Sequence, residues 1–85
     1  MATVKSTIRA AQRAGFQAVA KELRSPVPPT ICIACPPDRE AEVQTLVRDP
    51  RRVRLADREV WTPLFSGPLD GLVLVVGHPL LKGRA

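Results

Sequence analysis

Cys32 and Cys35 are the residues whose type and spacing first suggest chemistry. A Cys-x-x-Cys pair that opens a helix can serve as a thiol redox centre, because the helix dipole favours the thiolate. Pro36-Pro37-Asp38 follows the pair and reads as a helix opening. A thioredoxin-like arrangement also needs an earlier strand and a later helix, and the pattern indicates neither. A zinc site takes four ligands, and His78 is the one further good ligand besides the two cysteines. The remaining reading makes both cysteines small, soft side chains of a buried strand. His78 lies between Gly77 and Pro79, where a turn is expected. No carboxylate pair sits in an apolar setting that would tune it for proton transfer. No serine stands in a nucleophile elbow, and no glycine-rich loop precedes a helix. The expectation is a protein that is not an enzyme and uses no cofactor or metal.

Charge points elsewhere. Thirteen Lys and Arg stand against eight Asp and Glu, a net +5. Lys5, Arg9 and Arg13 are spaced four apart and form a basic ridge on one side of a helix. Arg51, Arg52 and Arg54 form a second cluster. Either suits acidic side chains on a neighbour or phosphates, so non-specific DNA contact is one possible use. The aromatics are Trp61, Phe16 and Phe65, with no tyrosine. So few rings argue against a stacking platform for single-stranded nucleic acid. Trp61 and Phe65 are instead expected to anchor the core or an interface.

The elements that would position these residues follow from periodicity. At 45% hydrophobic and 25% charged, the 85 residues have a globular balance and the length of one domain. A chain this short buries only about 60–65% of its unfolded surface. No apolar run reaches the roughly 18 residues of a membrane span, and the first residues lack the apolar centre of a signal peptide. A soluble protein inside a cell, with no membrane partner, is expected.

Residues 3–24 read as a long amphipathic helix with Thr3 as N-cap. Val4, Ile8, Ala11, Gly15, Ala18 and Val19 form its apolar face, and Lys21 and Arg24 its last turn. Residues 25–29 form a proline-rich connector, and 30–35, TICIAC, a strand. Residues 38–48 read as a short helix capped by Asp38 and closed by Asp49-Pro50. The stretch 51–77 then reads as three strands. They are 53–55, 60–65 with Pro63 marking an edge, and the apolar run 72–76. Turns are expected at 56–59 and 66–71, and 78–85 reads as a tail. The fold class is α+β: a long N-terminal helix packed on a small, mainly antiparallel sheet or partial barrel, with one short additional helix. A parallel pair between 30–35 and 53–55 is left open by the length of 36–52.

Three segments, Val53-Arg-Leu-Ala-Asp-Arg-Glu-Val-Trp61, Ser66-Gly-Pro-Leu-Asp-Gly71 and Leu72-Val-Leu-Val75, together resemble part of a known family. It is the small head-completion proteins of tailed bacteriophages, in their C-terminal half. The resemblance implies a structural, non-enzymatic subunit of the virion neck. Such a subunit would form a ring between capsid portal and tail, after assembly in the host cytoplasm. Its partners would be copies of itself and portal, adaptor or tail proteins. The helix 3–24 and the hairpins of 51–77 would be the two unlike faces that close the ring. A second reading is a small basic nucleic-acid-binding or regulatory module, whose affinity would fall steeply with salt.

Overall fold

The computed structural model describes residues 3–21 and 29–80. The chain is an α+β protein built on a four-stranded antiparallel sheet. Helix α1 runs Val4–Arg13, followed by strands β1 (Gln17–Lys21) and β2 (Thr30–Cys35). A 3₁₀ turn at Pro37–Arg39 leads into α2 (Glu40–Gln44), and strand β3 spans Arg48–Arg52. Residues 55–64 are continuously helical: a 3₁₀ turn, Leu55–Asp57, then α3 (Arg58–Trp61), then a 3₁₀ turn, Thr62–Leu64. Strand β4, Val73–His78, completes the sheet.

Helix α1 begins where its sequence predicts. The Thr3 side chain accepts from the Ser6 N–H at 3.1 Å and the Ser6 hydroxyl accepts from the Thr3 N–H at 2.8 Å, a reciprocal capping box. It ends much earlier than residue 24. Gly15 adopts φ +94°, which costs a residue with a Cβ but not glycine. The Gly15 N–H donates to the Gln12 carbonyl at 3.0 Å and the Phe16 N–H to the Ala11 carbonyl at 3.0 Å. These two bonds are the Schellman closure of a helix, and Phe16 and Ala11 share the core cluster that goes with it. The chain then leaves as β1, so Lys21 ends a strand; Arg24 lies outside the described residues.

The sheet order is β1-β2-β4-β3. β2 pairs with β4 in a register that sets Cys32 against Val76, Ile33 against Val75 and Ala34 against Leu74. β3 also pairs antiparallel with β4, so β4 separates it from β2 and no direct parallel pair forms. Among the described residues both ends of the order are open strands, a four-stranded open sheet rather than a partial barrel. β4 is the apolar run expected to be buried on both faces, and it lies inside the sheet between two partners.

Two cores follow from the alternation of strand side chains. On one face Ile31, Ile33, Cys35 and Val75 pack with Ala11, Phe16, Val43 and Val47 under α1 and α2. On the other, Cys32, Ala34, Leu74 and Val76 pack with Trp61 and Leu69 under α3 and the loop after it. Burying each large apolar side chain contributes roughly 1.5–3 kcal/mol. In an 85-residue chain, both layers are needed to offset chain entropy.

Several expected elements fold differently. The helix expected over 38–48 is shorter, and Asp38 makes no capping bond. The strand begins at Arg48 rather than 53, so Asp49-Pro50 lies within β3 instead of closing a helix. Asp49 takes φ +54° at a bulge between Arg48 and Arg51. Pro50 is tolerated because β3 is an edge strand with one side of its backbone unpaired. Residues 53–65 form no hairpin. Pro63 sits in the 3₁₀ turn Thr62–Leu64 that closes the helical segment, where it ends the α-helical bonding of α3. The turn expected at 66–71 is present: Leu72 donates to the Leu69 carbonyl at 3.1 Å across Gly71, whose φ is +75°. His78 belongs to β4 rather than to a tail, and 81–85 lie outside the described residues.

Candidate functional site

The cysteines do not form a site. They stand three apart on one strand, so they point to opposite faces of the sheet. Cys32 is buried in the Trp61 layer and Cys35 in the Phe16 layer. Neither can reach the other to form a disulfide or share a metal. Both are free thiols. Burial pushes the Cys32 thiol up to about 12, against a smaller lowering by Arg58. Burial, and next the carboxylate of Glu40, raise Cys35. Native protein near pH 7 should therefore label slowly with thiol reagents at both positions, and unfolded protein quickly. Fast labelling of either cysteine in the folded protein would contradict this burial. His78 is also committed locally, with Nδ1 3.0 Å from the Pro29 carbonyl, to which the ring must donate. Among the described residues no group of three His, Cys, Asp or Glu is placed to hold a metal ion.

The arginines give the chain its clearest surface feature. In β3, the register pairs Arg51 with Val76 and Arg52 with Val75. Paired residues share a face, so the sheet separates these neighbours. Arg52 turns to the α2 face and holds the Glu40 carboxylate through Nε at 3.1 Å and through its terminal nitrogen. This hydrogen bond is the main reason the Glu40 carboxyl lies below its ordinary value. A depressed carboxyl stabilises the fold above the unfolded pKa and loses that contribution as pH falls through the folded value. Glu40→Gln should therefore be less stable than the parent at neutral pH, with the gap closing in acid below about pH 4. Melting curves across that range check this; a gap that persists in acid would show that the pair does not act through charge.

Arg51 turns to the opposite face, where an open groove of about 620 Å³ lies between β3 and α3. Thr30 and Val76 form part of its floor, and Val60 and Trp61 contribute from α3. Arg51 and Arg54 are exposed beside it, and Asp57 lines it as well. Arg54 Nε donates to Asp57 at 3.1 Å; a pair this exposed is weak. Arg51 makes no ion pair or side-chain hydrogen bond among the described residues. Lys21, on β1, lies with its ammonium 5.5 Å from the Trp61 ring centre. The groove therefore has a mixed lining, apolar at Val53, Val60, Trp61 and Val76 and polar at Thr30 and Asp57, with cations at its rim. Forked guanidiniums of this kind suit carboxylates and phosphates.

Two arginines that sequence reasoning did not single out hold the frame. Arg58 donates to the Leu69 carbonyl at 3.0 Å and the Leu72 carbonyl at 3.2 Å, pinning the loop against α3. Arg39 donates to the Ala14 carbonyl at 3.2 Å, stacks 4.4 Å over Phe16 and pairs with Glu42. It thereby caps α1 and ties it to α2. Only the Arg39–Glu42 spacing of three was visible as a signal.

The ridge Lys5, Arg9 and Arg13 is exposed on α1, across the sheet from the groove. The two basic clusters are thus not one surface. Phe65 packs partly buried into the Trp61 layer, outside the groove. Among the described residues no helix is long and apolar enough to cross a membrane. Compared with protein-family models, curated proteins and solved structures, the chain gives no match.

Proposed function

We propose that this chain is a non-enzymatic binding module that docks on an anionic macromolecular partner through the groove between β3 and α3. The observation that carries this reading is the groove itself: exposed Arg51 and Arg54 flank a wall that presents Val60, 52% exposed, above the buried Val76 and Trp61. It combines charge for orientation with apolar area for affinity, as protein recognition sites do. The neck of a phage particle is one assembly such a module would serve. The hairpin pattern of 53–65 does not support that setting, because those residues are helical or looped. A homomeric ring closed by α1 against the groove would set Lys5, Arg9 and Arg13 against Arg51 and Arg54, and like charges repel. The reading therefore favours an acidic partner of a different kind.

Trp61 is the chain's single tryptophan, so its emission reports on the groove. Titration with poly-glutamate at low salt should shift that emission, and added salt should reverse it. The double variant Arg51→Glu, Arg54→Glu should fold normally and bind about tenfold or more weakly. Equal binding by the variant would remove the groove from the function.

A further inference from the structure

We infer that the occupant of this groove is an acidic segment of a partner protein that also carries apolar side chains, and not a nucleic acid. The inference deepens the groove reading and rests on it. Leu55, the residue after Arg54, is 86% exposed, and Val60, on the groove wall, is 52% exposed. Two apolar side chains of this size beside two arginines are ill placed against a phosphate backbone but ready for a leucine or valine of a peptide. Trp61 is 8% exposed, so its ring is not presented for base stacking, which single-strand binders use. Arg52 faces the other side of the sheet, where it holds Glu40; Arg54 has Asp57 beside it, and Asp57 adds a negative charge inside the groove. A backbone dense in phosphates needs a track of unpaired cations, whereas a peptide can place one carboxylate at Arg51 and keep Asp57 clear.

The test is selection of binders from a random displayed peptide library on the intact protein, with the Arg51→Glu, Arg54→Glu variant for counterselection. Enriched peptides should contain acidic and aliphatic residues within a few positions of each other. Their affinity should fall about tenfold in Leu55→Ser, Val60→Ser, a surface variant that leaves the arginines in place. At physiological salt they should bind more tightly than short duplex or single-stranded DNA. DNA binding tighter than any selected peptide and unaffected by Leu55→Ser, Val60→Ser would overturn the inference and leave the groove standing as an anion-binding site. Enrichment of peptides without acidic residues would overturn the inference too. Binding of neither peptides, poly-glutamate nor DNA would overturn both.

Discussion

Trp61→Ala should cost about 3–5 kcal/mol of stability, the usual range for removing a large buried aromatic. Trp61 is the largest side chain of the layer formed by Cys32, Ala34, Leu69, Leu74 and Val76. It comes from the end of a four-residue helix, which is too short to hold its shape without packing. Removing the ring therefore opens a cavity and frees the segment 55–64 together. A chain of this size has a total stability of roughly 4–13 kcal/mol, so much of it would be lost. The measurement is chemical denaturation of the variant beside Trp61→Phe, which keeps most of the contact and should cost far less. A midpoint that hardly moves in the alanine variant would show that α3 does not cover the sheet.

The second large effect is expected at a residue with no side chain. A Cβ placed on Gly77 would lie 2.7 Å from Cβ of Val47 and 2.8 Å from the carbonyl oxygen of Arg48. The obstacle is backbone and a β-branched core residue, and neither can swing aside. Gly77→Ala should cost about 1–3 kcal/mol, as overpacking does. The strain falls on the β3–β4 pairing near the bulge, so amide exchange should rise first at β3. Gly67→Ala is the control, since the group nearest its added Cβ is the amide end of the Gln17 side chain. Equal stability of the two variants would mean that β3 does not lie against Gly77 as described.

The interior strands were legible and the edges were not, for one physical reason. β2 and β4 are buried on both faces, so TICIAC and LVLVV had to be apolar and read directly. β3 is RDPRR, an edge whose strand character comes from its partner's backbone rather than from any alternation of its own. Helix 3–24 was overextended because Ala18 and Val19 continue a spacing of three and four. The Gly15-Phe16 pair was the stop signal, glycine for positive φ and phenylalanine for the closing apolar contact. Residues 60–65 look strand-like by composition, yet Pro63 fits the 3₁₀ turn that closes a helical segment at least as well. At the site, the cluster Arg51, Arg52 and Arg54 was visible as charge. Its division by the sheet was not, because a face can be assigned only once the bulge fixes the register. The floor residues Thr30 and Val76 come from strands far away in sequence, and no local pattern could mark them.

Nuclear magnetic resonance mapping tests the groove between β3 and α3 most directly. Labelled protein would be titrated with an acidic, leucine-containing peptide and its amide shifts followed. Shifts are predicted at Thr30, Arg51, Val53, Arg54, Val60, Trp61 and Val76, with α1 silent. Shifts centred on Lys5, Arg9 and Arg13 while the groove stays unchanged would contradict the account.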